Sequence, residues 1–166
     1  MKKLGSALVT IVAFLGGAGE VWAVDWDECQ RTEFSKLQSD IVIPACSRII
    51  DAGEVSPSDL AEAHYRRGRG HHRKGNLDPT IADYNKAAQQ GHAEAQYELG
   101  SIHSQGWGED SWGVPQNYAE AVKWYRKAAE QGDAEAQTNL GKMYATGSGT
   151  QHDDAAAAKW FRMAVL

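Results

Sequence analysis

Ala93 to Gly100 reads AEAQYELG, and Ala134 to Gly141, 41 positions later, reads AEAQTNLG. Self-similarity at such a fixed period marks a repeat unit. Lys123 to Arg126 reads KWYR and Lys159 to Arg162 reads KWFR, a spacing of 36, so the first copy carries five extra residues, which alignment places near Glu109 to Gly113. A third copy lies upstream. Ala61 to Gly68 reads AEAHYRRG, and Ile81 to Gly91 reads IADYNKAAQQG, matching AVKWYRKAAEQG at Ala121 to Gly132. A weaker fourth trace lays Asp40 to Gly53 on Asp78 to Gly91, pairing Ile43 with Ile81 and Cys46 with Tyr84.

Within each unit the small and apolar residues recur at intervals of three and four, as in Ala121, Trp124, Tyr125 and Ala128, which is helical periodicity. Gly91, Gly106, Gly132 and Gly147 follow such runs as stops, and Ser56-Pro57-Ser58-Asp59 has the residue types of a capped helix start. Helices are predicted near 27–38, 42–52, 58–74, 79–90, 93–105, 117–131, 134–146 and 153–165. Gly68, Gly100 and Gly141 fall inside predicted helices, where each costs roughly 1 kcal/mol relative to Ala, so a close helix contact is expected to offset the loss. The recurrence of Trp124 and Trp160 makes them expected core residues. A lone hairpin of this kind leaves one face bare, so the units must stack. The fold class is therefore all-α, an α/α superhelical solenoid of antiparallel helix hairpins.

The N-terminus has the pattern of a secretory signal: Lys2 and Lys3, a short apolar stretch from Leu4 to Gly17, and Val21-Trp22-Ala23 as a cleavage site. The apolar stretch is shorter than the roughly 20 residues a membrane span requires. An uncleaved anchor is the alternative. Cleavage after Ala23 predicts a periplasmic or secreted protein with no stable membrane insertion, starting at Val24. The formal charge of −5 then becomes −6 through loss of two lysines and Glu20, a balance that argues against nucleic-acid binding. Cys29 and Cys46 are the only cysteines. In an oxidising compartment they are expected to form a disulfide; otherwise Cys46 is a small buried hydrophobe and Cys29 a free thiol.

The quoted motifs carry a family resemblance. The two later units, with AEAQYELG, the Gly113-Val114-Pro115 stretch and YAEAVKWYRKAAEQGDAEAQ from Tyr118 to Gln137, resemble Sel1-like repeats. The unit from Ala61 to Gln90 resembles a tetratricopeptide repeat, with Gly68, Gly75, Tyr84 and Ala87 at that family's relative spacings. The resulting division is a signal peptide over 1–23, a helical half-repeat with both cysteines over 24–57, a tetratricopeptide-like unit over 58–92, and Sel1-like units over 93–133 and 134–166. The resemblance implies a concave face that binds a protein partner, in an adaptor or regulator of an envelope protein. His64, Arg67 and His71 stand where the tetratricopeptide pattern places large apolar residues, which predicts loose packing of that helix.

Mapped through this resemblance, Glu62, Tyr65, Arg69, His72 and Arg73 face the concave groove. Arg66 to Lys74 holds five cations in a short segment, which suggests attraction for an acidic peptide or an anionic polysaccharide such as a peptidoglycan-associated glycan; the alternative is a solvated helix face. Trp107 and Trp112 lie on the glycine-rich insertion as candidate partner anchors, with Trp107 folding back on its own hairpin as the competing reading. His64, His71, His72, His92 and His103 lack metal-ligand spacing, since His64 and His71 are two helical turns apart, so neither metal nor cofactor is expected. The chain carries no phosphate loop, nucleophile elbow or Cys-x-x-Cys pair. Action on a β-lactam, which some exported proteins of similar type suggest, is the remaining and weakest alternative to a non-enzymatic role.

Overall fold

The computed structural model describes residues 18–30, 36–107 and 113–165. Among these residues eight helices follow in order: α1 (Ala18–Cys29), α2 (Lys36–Ala52), α3 (Pro57–Lys74), α4 (Leu77–Gln89), α5 (Ala93–Gln105), α6 (Tyr118–Glu130), α7 (Ala134–Thr146) and α8 (Asp154–Met163). Each packs on the helices before and after it, as expected of a solenoid. Within the layers, α1 touches α3 and α5 touches α7, whereas the even-numbered helices make no comparable contact with one another. The odd-numbered helices therefore form the tighter, inner side.

Local chemistry sets the boundaries. Ser56 caps α3 by accepting from the Asp59 amide, and Asn117, Asp133 and Asp153 do the same for Glu120, Ala136 and Ala156. Gly75 and Gly147 close α3 and α7 in the left-handed conformation, which glycine adopts without a steric cost. The exceptions to the predicted boundaries are α2, which begins at Lys36 where a start near 42 was expected, and the first helix. It covers Ala18–Cys29, and Gln30 turns, where a helix over 27–38 was expected. That expectation excluded everything before Val24 from the fold. In the structure Asp25 and Cys29, one turn apart, both face α2: Asp25 accepts from Arg48 Nε at 2.8 Å, and Cys29 bonds Cys46 with a Cα–Cα separation of 4.9 Å.

Gly68, Gly100 and Gly141 each receive an aromatic ring from the second helix of their own unit. A Cβ placed on Gly68 would lie 2.8 Å from the Tyr84 ring, on Gly100 2.6 Å from Tyr125, and on Gly141 2.8 Å from Phe161. Tyr84 and Tyr125 are thus core residues and Phe161 covers its glycine while 38% exposed, and the expectation that Trp124 and Trp160 are core is met only in part, since both pack on the edge of a core cluster. One residue earlier means a rotation of about 100° around the helix. This puts both tryptophans in half-buried positions, each beneath a lysine: Lys127 Nζ is 4.4 Å from the Trp124 ring centre and Lys159 Nζ 5.7 Å from that of Trp160.

Units are joined by a recurring glutamine. Gln96 Nε2 donates to the Ala88 carbonyl at 3.0 Å, and Gln137 Nε2 to the Ala129 carbonyl at 3.0 Å. Each satisfies an end carbonyl of the preceding helix that burial would otherwise leave unpaired.

Candidate interaction surface

The first unit departs from the other two at three positions, and the departures belong together. His64 stands where Gln96 and Gln137 stand, Arg67 where Leu99 and Leu140 stand, and Asp83 where Trp124 and Trp160 stand. Asp83, 3% exposed, accepts from Arg67 Nε and Nη2, both at 2.8 Å, and lies 2.9 Å from His64 Nδ1. Arg67 also donates to Ser47 on α2 at 3.1 Å. The expected loose packing of this helix is therefore not found: a paired, hydrogen-bonded polar cluster replaces the apolar contact and ties α2, α3 and α4 together.

The predicted groove residues divide into two groups. Glu62 bonds Arg66 and His92, the latter at 2.7 Å, and Arg69 lies over the Tyr65 ring at 5.7 Å. The hydrogen bond from His92, opposed by partial burial, and the Arg66 guanidinium together hold the Glu62 carboxyl down to about 2. His92 in turn caps α5 through Nδ1, which accepts from the Ala95 amide, and its ring stacks on Tyr65 at 4.5 Å. Tyr65 is buried, and burial raises its hydroxyl to about 12. His72 reaches the Tyr84 hydroxyl at 3.3 Å and packs its ring against Trp107, centre to centre 4.5 Å, and burial lowers its pKa. Arg73 sits beside Arg69, Tyr65 and Tyr84, and its own burial lowers its pKa. Of the five cations in the run, Arg66 pairs with Glu62, Arg67 with Asp83 and Lys74 with Asp40.

Trp107 is half-buried and exchanges two backbone hydrogen bonds with Val114, at 2.9 and 2.7 Å, which closes the base of the inserted loop. Its ring packs between the first and second units and so folds back onto the solenoid. Trp112 lies outside the described residues. Among the described residues no three His, Cys, Asp or Glu side chains gather in a metal-binding arrangement, and no helix is long and apolar enough to cross a membrane.

Sequence reasoning missed a cavity farther along the inner side. About 220 Å³ in volume, it opens between α5, α6 and α7, walled by Tyr118, Tyr125 and Met143 and rimmed by Ser104, Asn139, Lys142, Thr146 and Ser148. The Tyr125 hydroxyl is fixed by Ser104 at 3.2 Å and by the Asn139 side chain. The His72–Tyr84 bond is the same contact one unit earlier. In the third unit Ala145 and Phe161 occupy these positions, so hydroxyl and partner are lost together. One signal for the cavity was available: Lys142 follows Gly141 as Arg69 follows Gly68, at the same register of the inner helix.

The eight helices of the described residues, glycine-to-ring contacts within units and glutamine clamps between them define the class as an α/α solenoid. The Sel1 repeat family model matches residues 61–92, 93–133 and 134–166, and the chain belongs to that family. Solved structures agree. It is similar to a protective antigen of uropathogenic Escherichia coli strains displaying an SLR fold, with 34% identity, a TM-score of 0.60, and coverage of 80% of this chain and 26% of that one. It is also similar to a Sel1 repeat protein from Oxalobacter formigenes, with 29% identity, a TM-score of 0.59, and coverage of 74% of this chain and 88% of that one. The chain thus spans about a quarter of the length of the first of these. The search of curated proteins found no match. Sel1-like repeats generally mediate protein–protein contacts, typically as non-enzymatic scaffolds.

Proposed function

We propose that this protein is an adaptor or regulator of the cell envelope that binds an extended segment of a protein partner along the inner face of α3, α5 and α7. The observation that carries this reading is an aromatic-walled cavity beside the inner helices, one wall of which is Tyr118, a ring left 41% exposed where Tyr65, Tyr84 and Tyr125 are buried and Tyr97 and Tyr144 partly buried. Exposed aromatics beside a cavity are the usual anchors of protein interfaces. The anionic-glycan alternative is less favoured, because three of the five cations on which it rests are paired to carboxylates within the fold.

The envelope assignment rests on the N-terminal signal pattern and on a cysteine pair at bonding distance, since disulfides persist in oxidising compartments. Cleavage after Ala23 cuts α1 but retains Asp25, Trp26 and Cys29, which hold it against α2.

The test is affinity capture of the tagged mature protein from cross-linked cells, with wild type beside the Arg69→Ala/Arg73→Ala double variant and Tyr118→Ala. An envelope protein captured by wild type and lost from either variant is expected. Capture that is unaffected by both variants, or no capture at all, refutes the groove reading. Recovery of the protein in the cytosol with residues 1–23 intact refutes the compartment.

A further inference from the structure

Resting on that groove reading, we propose that the α5–α6–α7 cavity is a subsite for an acidic side chain, a glutamate of an extended partner segment, whose carboxylate is taken by Lys142. The first argument is the chemistry of the lining. It contains hydroxyls, one carboxamide and one ammonium group, and no carboxylate. Lys142 is exposed, and among the described residues no acid pairs with it, whereas Arg66, Arg67 and Lys74 on the same inner layer are each matched to an acid of the fold. A cation facing an acid-free set of donors is complementary to an anion from outside.

The second argument is the apolar wall. Tyr118 and Met143 provide a surface for the methylenes of glutamate below the charged rim, and Tyr118 is exposed enough to receive them. The wall is also preorganised. Gly149, at φ +70°, packs against the backbone of the first turn of α6, where a Cβ would stand 2.3 Å from the Tyr118 carbonyl group, which fixes the base from which the Tyr118 ring projects, and the Tyr125 ring is held by its hydroxyl. A fixed backbone and a fixed Tyr125 ring reduce the entropy lost when the subsite is filled.

The experiment is selection from a random library of N-acetylated, C-amidated nonapeptides by wild type, Lys142→Glu and Tyr118→Ala. Both substituted side chains are exposed, and thermal melts check that the variants keep the fold. Wild type is expected to enrich glutamate at one position next to an apolar residue. Lys142→Glu should reverse the preference to lysine or arginine, and Lys142→Ala should weaken the best wild-type peptide about three- to fivefold, less at high salt. Enriched peptides without an acidic preference, or a preference that persists in Lys142→Glu, overturn the subsite and leave the groove reading standing. Enrichment only in a parallel library with free C-termini overturns the side-chain assignment. If no peptide is enriched, both the subsite and the groove reading fall, and Lys142-dependent binding of dextran sulfate would then assign the surface to an anionic glycan.

Discussion

Gly100→Ala and Gly141→Ala are the same substitution at the same point of the repeat, yet the structure gives them different outcomes. In each, alanine removes the roughly 1 kcal/mol helix penalty of glycine. At Gly100 the new methyl group would stand 2.6, 2.7 and 3.0 Å from three atoms of the Tyr125 ring. That ring is 2% exposed and its hydroxyl is hydrogen-bonded to Ser104, so moving it breaks that bond and disturbs the core around it. Overpacking of this severity belongs at the upper end of the usual penalty of about 1–3 kcal/mol, which leaves a net loss of about 1–2 kcal/mol. The apparent Tm should fall by about 3–6 °C. At Gly141 the obstacle is Phe161, 38% exposed and without a hydroxyl, and its ring can swing outward. The helix gain is then kept, and Tm should stay level or rise by about 2 °C. Gly68→Ala, against the fully buried Tyr84, should behave like Gly100→Ala. Thermal melts followed by far-UV circular dichroism decide the matter. Equal losses for Gly100→Ala and Gly141→Ala, or a Gly100→Ala variant as stable as wild type, would refute the reasoning.

Asp83→Ala strands Arg67 and His64 without their shared acceptor and should cost about 3–5 kcal/mol. The triple variant His64→Gln, Arg67→Leu, Asp83→Leu, read by chemical denaturation, should recover most of that loss. Reduction of the Cys29–Cys46 bond, which closes a loop with a sequence separation of 17, should remove about 3 kcal/mol, seen as a drop in Tm on adding a phosphine reductant; an unchanged Tm would mean that the bond does not form. Glu62 ionises at about 2 in the fold against 4.5 ordinarily, so its contribution is complete above about pH 4.5 and disappears as pH falls through about 2. With screening for its partial exposure this is about 1–2 kcal/mol, so Glu62→Gln should be less stable than wild type at neutral pH and converge with it near pH 2.

The sequence by itself determined the repeat character of the chain, six of the eight described helices to within a few residues, the cap at Ser56, the glycine stops and the cysteine partners. These are local or periodic properties: capping chemistry acts over three residues, and an amphipathic stripe repeats every turn. Only the tertiary structure decided which ring of Trp124-Tyr125 enters the core, because that depends on where Gly100 lies on the facing helix. It also decided the fate of the basic run. Lys74 meets Asp40 from 34 positions away and Arg67 meets Asp83 from 16, so a segment that reads as free charge is largely neutralised by neighbours. The cavity at Lys142 was hidden for the same reason. Its lining comes from three helices and a turn, and although Asn139 to Ser148 supplies much of it, packing alone brings Tyr118 and Tyr125 of α6 and Ser104 of α5 to Met143.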